Sequence, residues 1–284
     1  MTAFVSRNLK VFFRDKASVF FSLLAVFIII AMYVLFLGNV WLDGLPDVPQ
    51  AKPLMDSWIM SGLLAVTSMT TVMGAFGTMV DDRAHKIIKD FSASPISKGK
   101  IAGGYILSSF IIGVIMTLIT FVLAELYIVA GGGQWLSVEA TFKVLGLILL
   151  SSLCNTAMIS FLISYFKSQN AFGTASSIIG TLIGFLTGIY LPIGMLPEAV
   201  QFFIKIFPVS HAALLLRQVI METPMQAVFE GAPAQVLQGF KEEMGVSFQL
   251  GGQTIPVYAS FLILIGTALL FYALSTWRFS KKGK

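Results

Sequence analysis

Side chains able to do covalent or metal chemistry are few and scattered along this chain. His85 and His211 are the only histidines, far apart in sequence, and Cys154 is the only cysteine. That inventory excludes a zinc or metalloprotease site and any disulfide within one copy. Serines are plentiful, yet no G-x-S-x-G elbow occurs. No G-x-x-x-x-G-K-[ST] loop is present either, and Gly131-Gly132-Gly133 lacks the following Lys-Ser/Thr, so the chain alone cannot bind and split ATP. No catalytic, cofactor-binding or metal residues are therefore assigned. Glu125 reads as the one acidic residue inside a long apolar run. It is either part of a proton relay or a carboxylate that is partly hydrated near the interface or paired with the re-entrant hairpin described below. Met69 and Met73, set among threonines and serines, together with Asn155, either line a route for an amphiphilic substrate or serve as interhelical packing and hydrogen-bond glue.

The elements that would hold these residues are apolar helices. Six windows carry no charged side chain: 17–42, 57–80, 101–124, 144–166, 168–197 and 244–277. Each supplies the roughly 20 residues needed to cross about 30 Å of hydrocarbon. With 56% hydrophobic and 12% charged residues, too little polar surface remains to coat a soluble globule. The expected spans are 18–40, 57–80, 101–127, 143–166, 169–191 and 256–278. The N-terminal run is too long for a signal-peptide core and is expected to stay as the first span.

Charge sets the expected topology. Residues 1–16, the loop 81–100, Lys167 and the tail from Arg278 hold fourteen of the nineteen Lys and Arg residues, which places both termini in the cytoplasm by the positive-inside rule. Trp41, Trp58 and Trp135 fall at expected outer ends, and Trp277 at an inner end, as an aromatic belt would. Cations that flank spans, rather than forming a stripe with stacking aromatics, do not suggest a nucleic-acid partner. In residues 1–16, Val5, Leu9 and Phe12 form one stripe and Arg7, Lys10 and Arg14 another. This reads as an amphipathic helix on the membrane surface, or merely as a basic flank.

Two interruptions carry the mechanical reading. In Asp81-Asp82-Arg83-Ala84-His85-Lys86-Ile87-Ile88-Lys89-Asp90-Phe91, acidic residues are expected to open a short helix whose apolar side is Ala84, Ile87, Ile88 and Phe91. Ser94-Pro95-Ile96-Ser97 would end it. Such a helix either receives a push from a soluble partner or is a solvated loop that only sets topology. After the fifth span, Pro192, Pro197 and Pro208 divide an apolar segment into two helices, the second capped by Ser210. Both are too short to cross, so 192–222 is expected to form a re-entrant hairpin in the outer leaflet, or else a helical pair on the surface. Gly180, Gly184 and Gly188 recur every fourth residue and would pack either a second copy or a span of the same chain. Residues 223–255 are expected to form a small extracellular insert: a helix over 233–244 ended by Gly245, then a β-hairpin turning at Gly251-Gly252.

These features resemble the type-2 permease family of ATP-binding-cassette (ABC) exporters. The resemblance covers essentially the whole chain. It rests on Leu191-Pro192-Ile193-Gly194-Met195-Leu196-Pro197, Phe207-Pro208-Val209-Ser210-His211, Leu216-Arg217 and the Ser94-Pro95-Ile96-Ser97 loop end. It implies an all-α integral membrane fold with six transmembrane helices, an N-terminal interfacial helix and a re-entrant hairpin before the last span. It further implies a non-enzymatic permease subunit in a prokaryotic plasma membrane, paired with a second permease chain, identical or not. ATP and Mg would be bound by a separate cytoplasmic ATPase subunit. Asp82, Arg83, Lys86, Ile87 and Phe91 would form the ATPase-coupling surface, and Pro192, Pro197, Pro208, His211 and Arg217 the re-entrant gate. A drug, antimicrobial peptide, lipid or lipid-linked glycan would be moved outward. The alternative classes are a gradient-driven carrier or channel, for which Glu125 is the foothold, and a lipid-modifying membrane enzyme, against which the scarcity of intramembrane acids and histidines argues.

Overall fold

The computed structural model describes residues 1–33, 35, 49–93, 96–166 and 168–281. Most of the expected first span beyond Tyr33, Trp41, Ser94-Pro95, Lys167 and the last three residues lie outside the described residues.

The chain is built almost wholly of helices: α1 Thr2–Arg14, α2 Lys16–Met32, α3 Ala51–Ala84, α4 Ile87–Ala93, α5 Lys98–Ala130, α6 Val138–Ile163, α7 Gln169–Leu186, α8 Glu198–Ile206, α9 Pro208–Ile220, α10 Glu222–Val228, α11 Ala234–Glu243 and α12 Val257–Lys281. Among the described residues one antiparallel pair, β1 Gln249–Leu250 with β2 Gln253–Thr254, turns through Gly251 and Gly252, both at positive φ as a tight hairpin requires. Among the described residues four helices, α3, α5, α6 and α12, are each long and apolar enough to cross a membrane. Two bent pairs, α1–α2 at 76° and α8–α9 at 84°, raise that number to six if each counts as one span. This is an all-α membrane protein.

Helix α3 is the axis. At 34 residues it is about 50 Å long. Of its apolar window 89% lies inside the protein, against 17% for α12. α5, α6, α7, α9 and α2 pack around it, and its small and hydroxylated residues allow that approach. Thr71 returns its hydroxyl to the Thr67 carbonyl at 2.6 Å, while Ser68 bonds Ser152 of α6 at 3.2 Å and accepts from Asn155 Nδ2 at 3.0 Å. α12 leans on α6 and α9 with Ser260, Leu264, Ala268 and Ser275 and turns Leu262, Leu269 and Leu270 outward, the one-sided burial of a helix facing lipid.

Local chemistry explains the ends. Asp15 breaks α1 from α2 and caps the latter, accepting from the amides of Ala17 at 3.1 Å and Ser18 at 3.2 Å. The Ser18 hydroxyl and these amides hold its carboxyl below the usual range. Ser137 and Ser168 cap α6 and α7 in the same way.

Several expectations are corrected. The second helix does not stop at Val80 but runs to Ala84, so Asp81 and Asp82 close a long helix rather than open a short one. The short helix resumes at Ile87 after a break at His85-Lys86, where Lys86 takes φ 64°. Ala84 therefore does not share its apolar side. α7 ends at Leu186, so Gly188, at φ 68°, lies in the following turn and not on the helical face of Gly180 and Gly184. Ser210 does not cap α9, which starts at Pro208; its hydroxyl donates instead to the Leu186 carbonyl at 2.6 Å. Trp58 has no exposure and cannot belong to an interfacial belt.

Candidate functional site

Two clusters of buried polar groups sit at opposite ends of α3. At the elbow, where α3 breaks into α4 at His85-Lys86, Asp82 is 2% exposed and receives both terminal nitrogens of Arg7, Nη2 at 2.8 Å, plus the Tyr105 hydroxyl at 2.5 Å. A bidentate guanidinium and a phenol saturate the carboxylate, the condition under which a buried ion pair is tolerated. Asn8 joins α1 to Ser108 of α5 at 3.2 Å. Phe4 meets both Phe91 and Tyr105 edge-on at 5.0 Å, and the Arg7 guanidinium lies 5.3 Å from the Phe91 ring. α4 is thus seated on α1, and α1 is locked to α3 and α5.

Arg83 braces the same end by donating to the carbonyls of Ile163 at 3.3 Å and Phe166 at 2.7 Å, satisfying the open end of α6. Gln169 at the start of α7 donates to Asp81 at 2.8 Å. Around this frame Ala84, His85, Lys86, Lys89 and Asp90 of the elbow are exposed, while Ile87 and Phe91 are half-buried. Of the five residues expected on one surface, Asp82 and Arg83 therefore point inward and Lys86 outward.

The hairpin end is arranged differently. α9 is buried along its length, whereas α8 buries Ile204 and exposes Phe202 by 51% and Phe203 by 68%. His211 donates from Nε2 to the Lys205 carbonyl at 2.9 Å, which leaves Nδ1 to accept from the Ser260 hydroxyl at 2.9 Å. Arg217 is fully buried. One terminal nitrogen reaches the Gly188 carbonyl at 3.3 Å, and the guanidinium lies 5.1 Å from the Trp58 ring, whose own N–H donates to the Met244 carbonyl at 2.7 Å. Pro192 leads into a single 3-10 turn, Ile193–Met195, Pro197 precedes α8, and Pro208 opens α9. Each thus terminates or starts an element, as its missing N–H dictates.

Between the ends, Met69 and Asn155 are buried in packing, with Asn155 spent on Ser68. Met73 borders a cleft of about 340 Å³ shared with Phe12, Ser22, Thr70, Phe172 and Gly180. Gly180 has open space where a side chain would begin, whereas a Cβ on Gly184 would strike the Tyr190 ring at 2.2 Å. The three glycines therefore have three separate surroundings. Glu125, 8% exposed, accepts from the Leu136 amide at 3.1 Å, so its bond is to the loop between α5 and α6 and not to a hairpin residue.

Residues 46–277 match the family model described as ABC-2 family transporter protein. The chain belongs to this family. It is also 27% identical over 160 residues to the linearmycin resistance permease protein LnrN of Bacillus subtilis strain 168, a match covering 56% of this chain and 40% of that relative. The present ABC-2 chain thus matches well under half of the relative's length.

Sequence reasoning missed Arg7 and Tyr105 as partners of Asp82, because ion pairing across 75 residues leaves no local pattern. It also missed Asp56, which lies within α3, fully buried, bonded to Lys52 at 2.8 Å through one oxygen. The available signal was i,i+4 spacing: Lys52 and Asp56 could be read as one helical turn.

Proposed function

We propose that this chain is the membrane permease subunit of an ABC exporter that moves an amphiphilic antibiotic-like molecule outward, powered by a separate ATPase subunit. The observation that supports it best is the elbow: a short helix whose inner side is fastened through Phe91, Arg7 and Asp82 to three other helices, while Lys86, Lys89 and Asp90 remain exposed for a partner. Force applied to α4 would be delivered to α1, α3 and α5 together. The six spans of this reading are α2, α3, α5, α6, α7 and α12, which takes α7 as a crossing in place of the bent pair α8–α9, with both termini cytoplasmic and α1 lying in the interface. α8 and α9 form the re-entrant hairpin, in which the exposed Phe202 and Phe203 face acyl chains. The cleft bordered by Met73, Thr70 and Gly180 is half of the route, completed by a second permease chain against α7. The linearmycin resistance relative supports an antibiotic as cargo, and family membership supports an ABC ATPase as motor.

The test is reconstitution with a cognate ABC ATPase subunit. Lys86→Glu with Lys89→Glu should abolish copurification of the ATPase and leave the permease folded. Cargo movement in vesicles of this chain alone, without ATP, would replace the reading with a gradient-driven carrier.

A further inference from the structure

Arg217 is a buried cation for which the described residues supply no anion. Among the described residues no carboxylate lies within ion-pair distance, and Nε and Nη1 reach no acceptor at all. A guanidinium carries five N–H donors, and burying it unpaired costs several kcal/mol that a methionine of similar volume would not. The backbone is nonetheless arranged to admit it. A Cβ on Gly62 would lie 3.1 Å from Nη2, and one on Gly245, at φ 67°, would lie 3.0 Å from Nη1. The same point on Gly245 is 2.5 Å from Cδ1 of Ile193, so that side chain stands beside the unpaired nitrogen.

Ile193 also lines a recess of about 350 Å³ shared with Gly194, Gln201, Lys205 and Ser247. The Ser247 hydroxyl is buried and likewise has no partner. Lys205 brings a positive charge to this recess. Of its two carboxylates, Glu242 is already engaged by the amides of Gln238 and Gln249, and Glu243 is the competing internal partner.

We propose that Arg217 is a binding site for the oxyanion, carboxylate or phosphate, of an amphiphile, entered from this recess past Ile193. The fork of a guanidinium matches either oxyanion, and low local polarity strengthens the pairing. Its place in transport rests on the exporter reading above; the binding itself does not.

The experiment needs no ATPase, so its outcome is independent of the exporter reading. The chain is placed in phosphatidylcholine nanodiscs and titrated with dodecyl phosphate, laurate and, as the uncharged control, dodecanol. The readout is Trp58 fluorescence, obtained as wild type minus Trp58→Phe. A saturable change for both anions, about tenfold tighter than for dodecanol, is expected. It should vanish in Arg217→Gln and weaken several-fold in Ser247→Ala. A change already complete in nanodiscs containing phosphatidylglycerol, before any titrant, assigns the phosphate to lipid rather than to a free amphiphile. Equal response to dodecanol, retention in Arg217→Gln, or a signal that depends on Glu243 in Glu243→Gln overturns the site. Where Arg217→Gln does not elute as a single species, Ser247→Ala decides: unchanged affinity overturns the proposal.

Discussion

The two ends of α3 treat buried charge in opposite ways. At the elbow, Asp82 is met by Arg7 twice and by Tyr105 once, so removing Arg7 strands a carboxylate that is 2% exposed, while Arg7 itself stays one-third exposed. At the hairpin, Arg217 is buried more deeply and has one weak carbonyl contact and a ring face. A saturated pair fixes one arrangement of the helices that share it. An unsaturated cation instead leaves free energy to be gained from a further partner, which suits a part that changes state. Rigidity at the elbow and unspent bonding capacity at the hairpin are what a transmitted push would require.

The largest effect that can break this contrast is expected at Asp82. Asp82→Ala should lower stability by about 2–4 kcal/mol, since it isolates Arg7, one-third exposed, beside Phe91. Arg7→Met with Asp82→Leu should recover much of that loss in thermal unfolding monitored by size exclusion. A double variant as unstable as the sum of the singles would mean that the pair does not act as a unit. Next comes Gly245→Ala, expected to cost about 1–3 kcal/mol because a side chain at φ 67° would also strike Ile193 and the guanidinium. An unchanged melting temperature would show the hairpin end to be looser than drawn.

Arg217→Met should have the opposite sign, leaving the melting temperature equal or slightly higher while export is lost. A clear drop would make Arg217 a structural pin and remove the contrast. The smallest effect belongs to Glu125→Gln, where the amide oxygen can still accept from Leu136, so export should stay within twofold at every pH. Loss of a pH dependence there would restore a relay role.

Much of the helical architecture was legible because its cues are local. Ser137 and Ser168 cap the helices they precede, Gly251-Gly252 turns the small hairpin, and the prolines separate α8 from α9. The limits of helices were read less well, because charge marks where a membrane ends and not where a helix does; α3 continues through Asp81 and Asp82 into Ala84. The misplacement of Trp58 has the same root: an indole near a span end reads as interfacial until a distant segment, here Met244–Gly245, covers it. The surroundings of Arg217 come from four parts of the chain, at Trp58 and Gly62, Gly188, Ile193 and Gly245, and no window of sequence contains them together.

Cys154 lies wholly inside α6 and is the protein's only thiol. The chain is therefore already a near-silent background for maleimide reporters, its one native thiol being shielded by burial. Single cysteines introduced at Lys89 and at Gln201 could carry a spectroscopic pair spanning the two ends of α3, and the separation between the probes could be followed directly through a cycle of nucleotide addition.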